Sequence, residues 1–216
     1  MGETPADTDA TVGVVETIFS TRAKPFPCPV DGKIETVQFL EGASGVVSLV
    51  EKLGKVFAPV RYDMNGNIEK LTSKYNEDQE RFEFLNDMLI CEQAQGALRA
   101  TDALLWLRRA LSFFHKFLFS VVEDAKAGRK REDLSDNIQK AYRETLQKYH
   151  GFLAQRLFSV LSKMVPHRSQ LLKIFALGVE DLEDAVIPEV EKFLSNLNSN
   201  LVVLDKFYED LRLTPL

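Results

Sequence analysis

The sequence predicts an all-α protein of seven or eight helices. Apolar residues recur at steps of three and four along most of the chain after residue 10, which is the spacing that gives a helix one apolar face. No segment of useful length alternates apolar and polar residues in the way a half-buried strand does. With 45% hydrophobic residues and ordinary Gly and Pro usage, the composition indicates a globular core and argues against disorder.

The first half of the chain contains three predicted helices. The first helix begins near Val37 and should end near Pro59, because proline disrupts a helix interior. Asp63 is predicted to be the N-cap of the second helix, and the third helix continues the apolar pattern. The stripes that predict the three helices are Phe39, Ala43, Val46, Val50, Leu53 and Phe57, then Met64, Ile68, Leu71 and Tyr75, then Phe82, Leu85 and Leu89.

The second half begins with the most apolar helix, over residues 97–122, which is apolar nearly all round and should therefore be central. A polar break at residues 123–133 separates it from a long periodic run, predicted to be helical through His150 and to end at Pro166. Two further helices are predicted, from Ser169 to Leu177 and from Pro188 to Leu211, with Pro188 in the first turn of the second.

Composition and charge exclude several classes of protein. The formal net charge of −5 argues against a nucleic-acid binder, whose affinity rests on neutralising phosphates. Cys28 and Cys91 are too few for a disulfide framework or a Cys-based zinc site, so a reducing, cytoplasmic location is expected. No apolar stretch approaches the length of a membrane span. We expect a segment over residues 1–25, with a candidate first helix, and a single helical domain over residues 26–216.

The motifs of common enzymes are absent from the sequence. It contains no G-x-S-x-G nucleophile turn, no phosphate-binding glycine loop and no H-E-x-x-H pair. The three histidines, His115, His150 and His167, do not share a metal-ligand spacing. We therefore predict that the protein is not an enzyme and that it needs neither a metal nor another cofactor.

A row of polar residues is the first candidate binding element. If this segment is helical, Asp63, Asn67 and Lys70 stand at positions i, i+4 and i+7, close to one line along the helix. Together they offer an acceptor, an amide that donates and accepts, and a cation with three donors, a set that suits a ligand with several hydroxyls. The alternative is a solvated polar face with Asp63 as a helix cap, and on spacing alone that alternative is the more common arrangement.

Aromatic and imidazole side chains are the second candidate element. Trp106, the only tryptophan, is either a core residue or a flat platform for a sugar ring. His150 is either a bonded core histidine or a donor to a ligand carbonyl. Composition likewise leaves open whether the following residues fill the core or surround a lipid chain: Phe57, Phe113, Phe117, Leu146 and Phe158.

These segments resemble the glycolipid transfer protein family. The resemblance runs from about Ile34 to Lys163 and follows, in order, IETVQFLEGASG, VFAPVRYDMNGNIEKL, ALLWLRRAL and KYHGFLAQRLF. It implies a two-layer all-α sandwich of about eight helices that encloses an apolar lipid pocket. It also implies a cytoplasmic protein, expected to be a monomer, that carries one glycosphingolipid between membranes and touches their surface transiently.

The resemblance also implies roles for individual residues. Asp63 matches the residue that bonds a sugar hydroxyl and the ceramide amide N–H, and His150 matches the donor to the amide carbonyl. Trp106 matches the indole on which the first sugar stacks. Asn67 and Lys70 match further sugar contacts, and Phe57 and Phe158 match positions that line the lipid pocket.

The sequence departs from the family at informative positions. Relatives that carry phosphorylated sphingolipids have basic residues at the positions of Asn67 and Trp106 and one turn further on, where this chain has Ala110. Many relatives have a membrane-touching Trp where this chain has Phe152, which should weaken anchoring at the membrane interface. Both ends of the chain match less clearly, so the preferred sugar is left open.

Three other functions remain compatible with the sequence. A glycolipid sensor would use the same pocket to report lipid levels to a partner. A helical scaffold would have a filled core and no ligand, and a lipid-modifying enzyme would assemble its site from residues distant in the sequence.

Overall fold

A computed structural model describes residues 16–211 of the chain, and its regular secondary structure is helical. Over these residues there are nine α-helices and no β-strand, only two isolated bridges, Val30–Lys33 and Glu35–Phe84. The prediction of an all-α protein is confirmed, with somewhat more helices than the seven or eight expected. No helix within the described range is long and apolar enough to cross a membrane.

Four helices make up the first half: α1 (Ile18–Thr21), α2 (Thr36–Lys52), α3 (Ala58–Tyr75) and α4 (Leu85–Gln95). The predicted N-terminal segment falls partly on residues 1–15, which lie outside the described residues. Helix α4 ends at Gly96, whose φ of 70° is a left-handed conformation that glycine adopts without strain. Division of the chain at residue 25 stays a prediction.

The predicted start of α3 is wrong. The helix begins at Ala58, directly after a 3₁₀ turn at Lys55–Phe57, and Pro59 lies in its first turn. Proline is favourable there because the N–H groups of a first turn have no partner within the helix. Pro59 therefore opens α3 rather than ending α2, and Asp63 lies within the helix instead of capping it.

Five helices make up the second half: α5 (Arg99–Lys126), α6 (Ser135–Thr145), α7 (Phe152–Leu161), α8 (Arg168–Phe175) and α9 (Glu183–Asp210).

Two predictions about these helices are wrong. The long periodic run breaks at a 3₁₀ turn, Gln147–Tyr149, and His150 is extended, with φ −91° and ψ 126°. Apolar spacing continues across such a short break, so the pattern alone does not reveal it. Pro188 is the sixth residue of α9 and so lies beyond its first turn, where proline leaves a carbonyl one turn earlier without a helical partner.

Helix α5 is central, as predicted, because it packs against α3, α4, α6 and α9. Its buried N-terminus is held by the carboxylate of Glu92, which accepts hydrogen bonds from the backbone N–H groups of Ala100 and Thr101, both at 2.8 Å. The hydroxyl of Tyr208, on α9, donates to the Thr101 carbonyl at 2.7 Å. These bonds fix one end of α5, and they satisfy polar groups that would be costly to bury unpaired.

Candidate functional site

A cavity of about 630 Å³ lies between α3, α5, α7 and the turn that precedes α7. The five residues predicted to bind a headgroup all line it, although they come from three separate parts of the chain. They are Asp63, Asn67, Lys70, Trp106 and His150. Apolar side chains form much of the remaining wall, including Val50, Met64, Phe113, Phe114, Leu146, Leu157, Phe158 and Leu161.

The polar row on α3 faces this cavity. Asn67 is buried, and its side-chain amide donates to the backbone carbonyl of Asp63 at 3.0 Å. Among the described residues, no other group bonds the Asn67 carbonyl oxygen or its second N–H, so both are left for a ligand. Asp63 and Lys70 remain exposed at the mouth of the cavity. The row is therefore not a wholly solvated face, and the alternative in which Asp63 caps a helix is excluded.

The Asp63 carboxylate is in an environment that disfavours its charge. Desolvation by the surrounding protein raises its pKa, while the protonated form of His150 and the ammonium of Lys70 act to lower the pKa. Within residues 16–211 the carboxylate oxygens accept no hydrogen bond from the protein. An acceptor held in this way, partly desolvated and unbonded, is suited to a ligand that brings O–H or N–H donors.

This environment predicts an effect of Asp63→Asn on stability. A carboxyl whose folded pKa is raised costs stability when ionised, so the asparagine variant should unfold at a higher temperature at pH 7, by about 2 °C at most because solvent screens an exposed group. The difference should vanish as the pH falls below the ordinary pKa of aspartate. Thermal unfolding from pH 3 to 8 measures it. Glu69→Asn, on the same helix, is the control, and a destabilised Asp63→Asn variant at pH 7 would contradict the prediction.

Trp106 is half-buried on α5 and its ring lies at the cavity wall. Its ring centroid is 6.2 Å from that of His150, with 21° between the planes. The buried guanidinium of Arg109 lies 4.8 Å from the Trp106 centroid and 3.5 Å from the centroid of Tyr149. Cation–π contacts of this kind hold the indole in place. Trp106 is thus part of the cavity rather than of a filled core.

His150 lies in the turn between α6 and α7. The side-chain amide of Gln155 donates to its backbone carbonyl at 2.7 Å, and its Nδ1 atom is 3.1 Å from the Tyr142 hydroxyl oxygen. Desolvation lowers the pKa of the imidazole and Asp63 opposes that change, while nearby Arg109 lowers the pKa further. His150 is therefore neutral at pH 7, with one ring nitrogen able to donate and the other able to accept.

The five residues predicted to line a lipid pocket are divided between two neighbouring cavities. Phe113, Leu146 and Phe158 line the large cavity. Phe57 and Phe117 instead line a second, almost wholly apolar cavity of about 80 Å³. Phe113 and Phe158 also line this second cavity, and their rings pack edge to face with centroids 5.8 Å apart. The pair thus lies on the wall shared by both cavities.

Three residues of this region did not stand out in the sequence. Tyr149 lines the cavity directly before His150 and could have been found by its position. Arg109 contacts the ring of Trp106, and the Tyr142 hydroxyl contacts the imidazole of His150. Arg109 could have been found, because it lies three residues after Trp106 on α5, a spacing that places two side chains next to each other on a helix. No sequence signal identifies Tyr142, because it reaches His150 only through the reversal of the chain before α7.

An all-α fold with polar residues at the mouth of an apolar cavity suits an amphipathic ligand, which is the arrangement expected of a lipid-binding protein. The sequence profile of the family described as "Glycolipid transfer protein (GLTP)" matches residues 34–177, which is two thirds of the chain. The chain belongs to this family, whose members are non-enzymatic lipid transfer proteins. The prediction that it is not an enzyme is confirmed by this membership.

Individual relatives show the same likeness. The glycolipid transfer protein of Danio rerio is 33% identical over 186 residues, which cover 83% of this chain and 89% of the relative. The pleckstrin homology domain-containing family A member 8 of Bos taurus is 32% identical over 209 residues, but these cover only 39% of that longer protein.

Solved structures share the fold. The structure described as "How FAPP2 Selects Simple Glycosphingolipids Using the GLTP-fold" has a TM-score of 0.80 at 29% identity, covering 93% of this chain and 98% of the other. The fungal glycolipid transfer protein HET-C2 has a TM-score of 0.73 at 28% identity, covering 91% and 94%. Human ceramide-1-phosphate transfer protein, at 19% identity and a TM-score of 0.77, covering 88% and 93%, shows the fold alone.

Proposed function

We propose that this protein binds one glycosphingolipid and carries it between membranes, with the sugar headgroup at the polar mouth of the cavity and the ceramide chains in its apolar part. The observation that carries this proposal is the single cavity in which Asp63, Trp106 and His150 meet an apolar wall. We further propose that the protein works as a monomer in the cytoplasm and touches membranes only transiently.

The headgroup residues have complementary tasks in this proposal. Asp63 accepts hydrogen bonds from a sugar hydroxyl and from the ceramide amide N–H, and neutral His150 donates to the amide carbonyl. The face of Trp106 packs on the C–H face of the first sugar. Asn67, through its free carbonyl oxygen and second N–H, and Lys70, through its ammonium, contact the remaining hydroxyls.

The energetics explain why such a carrier is needed. A ceramide-based lipid has roughly 30 methylenes at about 0.8 kcal/mol each, so exposing it to water costs on the order of 20 kcal/mol. A dry pocket that replaces the bilayer contacts lowers this barrier without an energy source, and transfer then runs down a concentration gradient.

Selectivity follows from the polar residues. A lipid without the amide and the hydroxyls leaves polar groups of the site desolvated and unpaired, at about 1 to 3 kcal/mol for each group. Ala110 stands where phosphate-carrying relatives have a basic residue, which disfavours a phosphorylated headgroup. We therefore expect phosphoglycerides and ceramide phosphates to be poor ligands.

Lipid transfer and native mass spectrometry together test the function. Purified protein mixed with vesicles containing glucosylceramide and phosphatidylcholine should retain one glycolipid per chain, and it should move labelled glucosylceramide to acceptor vesicles. Retention of phosphatidylcholine alone, or of no lipid, would overturn the proposal. Firm glycolipid binding without transfer would instead support a sensor.

Helix α7 is the surface we propose for membrane contact. Most of its length is exposed, including Phe152 at 70% and Leu153 at 80%, and Leu157, Val160 and Met164 continue the exposed apolar surface. In an otherwise acidic chain, residues 145–179 contain no Asp or Glu, and Lys148, Arg156 and Lys163 are exposed basic residues on and beside α7. Apolar side chains flanked by basic ones suit the interface of a membrane with anionic lipids.

Phe152→Ala is expected to weaken binding to vesicles roughly five- to thirtyfold, because about one to two kcal/mol of apolar burial in the interface is lost. Vesicle flotation with phosphatidylcholine and phosphatidylserine measures the bound fraction. Val202→Ala, at an exposed apolar residue of α9, serves as the control and should behave as the native protein does. Equal flotation of native and Phe152→Ala proteins would show that Phe152 has no role in docking.

A further inference from the structure

A buried tyrosine contacts the histidine of the candidate site. Tyr142, on α6, is 5% exposed, and its hydroxyl oxygen lies 3.1 Å from Nδ1 of His150. Its ring stacks on Phe158, with centroids 3.6 Å apart and 7° between the planes. The face of the Tyr142 ring therefore packs on Phe158, which is a residue of the cavity wall. The Tyr142 hydroxyl is within hydrogen-bond distance of the imidazole.

The direction of this hydrogen bond follows from the partners available. In the part of the chain that the structure describes, His150 Nδ1 is the only acceptor within hydrogen-bond distance of the Tyr142 hydroxyl. Burial raises the pKa of Tyr142, so the hydroxyl keeps its proton. A buried O–H left without an acceptor costs about 1 to 3 kcal/mol. The hydroxyl therefore donates, Nδ1 accepts, and the single proton of the neutral ring is on Nε2.

We infer that Tyr142 is a positioning residue that fixes the Nε2–H tautomer of His150 and thereby makes the ring a donor to the carbonyl of a bound lipid. This inference rests on the proposed function. It assigns to Tyr142 part of the selection for lipids that carry an amide carbonyl.

The other groups around His150 leave this task to Tyr142. Asp63, Arg109 and Trp106 are the neighbours from α3 and α5, and within the described residues none of them hydrogen-bonds to either ring nitrogen. Gln155 donates to the backbone carbonyl of His150 and not to its ring. The choice between the two tautomers of the free protein therefore depends on the Tyr142 hydroxyl.

The first arm of the test measures the tautomer without any lipid. Tyr142→Phe keeps the ring that stacks on Phe158 and removes only the hydroxyl. In ¹⁵N spectra of the ligand-free native protein above pH 7, Nδ1 of His150 should have the shift of an unprotonated ring nitrogen and Nε2 that of a protonated one. In the variant the two shifts should move towards a mixture of tautomers. Unchanged shifts in the variant, or a native ring protonated on Nδ1, would overturn the inference.

The second arm measures selectivity for the carbonyl. Tyr142→Phe should weaken binding of glucosylceramide about three- to tenfold, the loss expected for one hydrogen bond. It should leave binding of glucosylsphingosine, which has no acyl carbonyl, unchanged. In a His150→Ala background the tyrosine substitution should have no effect on either lipid. An equal loss for both lipids would show a merely structural role and overturn the inference.

Failure of the inference and failure of the function are distinguishable. Native protein that binds neither lipid contradicts the proposed function, while the ¹⁵N measurement still shows whether Tyr142 selects the tautomer. Native protein that binds glucosylceramide, together with a Tyr142→Phe variant that keeps its carbonyl preference, contradicts the inference alone.

Discussion

Replacing Asp63 by valine is expected to reduce glycolipid transfer at least a hundredfold, to the level of spontaneous exchange. Valine is similar in size but cannot accept the two hydrogen bonds that we assign to the carboxylate. Charged hydrogen bonds contribute roughly 1.5 to 3 kcal/mol each, and each 1.4 kcal/mol is about a factor of ten in affinity. Transfer of fluorescent glucosylceramide between donor and acceptor vesicles measures the effect.

The fold should survive this substitution. Asp63 is exposed, lies within α3 and accepts no hydrogen bond through its carboxylate from the described residues, so circular dichroism should show unchanged helicity. Glu69→Val, on the same helix but away from the cavity, is the matched control and should transfer normally. A control that lost transfer as well would indicate damage to α3 rather than loss of the Asp63 acceptor.

Trp106→Ala is the second substitution with a large expected effect, a loss of transfer of at least about tenfold. It removes the flat surface proposed to carry the first sugar, and it releases the contacts that Arg109 and His150 make with the indole. Aromatic contacts of this kind are worth about 0.5 to 1.5 kcal/mol each beyond the area they bury. The loss of transfer is measured between donor and acceptor vesicles. The loss of binding is measured by titrating the protein with glycolipid and following the fluorescence of its tyrosines, which the variant retains.

Two further variants separate the sugar platform from general packing. Trp106→Phe keeps an aromatic plane and should retain part of the activity. Phe119→Ala truncates an exposed ring elsewhere on α5 and should transfer as the native protein does. Near-normal transfer by both Trp106→Ala and Asp63→Val would contradict the assignment of the site.

The helices could be predicted because their apolar faces must be buried, and burial imposes the helical period on the sequence. The central position of α5 followed from the same cause, since a helix buried on several sides is apolar nearly all round. Boundaries were less predictable. Pro59 is compatible with the end of one helix and with the first turn of the next, and in the structure α2 has already ended before Gly54, whose φ is 125°, so Pro59 opens α3.

The candidate site was predictable in the same uneven way. The alignment of Asp63, Asn67 and Lys70 needed only the helical repeat, so it held although the predicted start of the helix was wrong. The turn at His150 was not predictable, because apolar spacing runs through it unbroken. That turn brings the imidazole to the cavity and within reach of Tyr142.

By itself, the sequence determined the all-α class, the polar row on one helix and, through the resemblance of its segments, the family. These properties depend on residues near one another along the chain, where helical geometry fixes the spacing. The tertiary structure brings Trp106 and His150 to that row at one cavity, as the resemblance implied, and it alone decided that Phe57 and Phe117 line a second cavity and that Tyr142 contacts the histidine. Contacts between distant segments depend on the angles at which helices cross and on the turns that connect them. These contacts cannot be predicted from local periodicity.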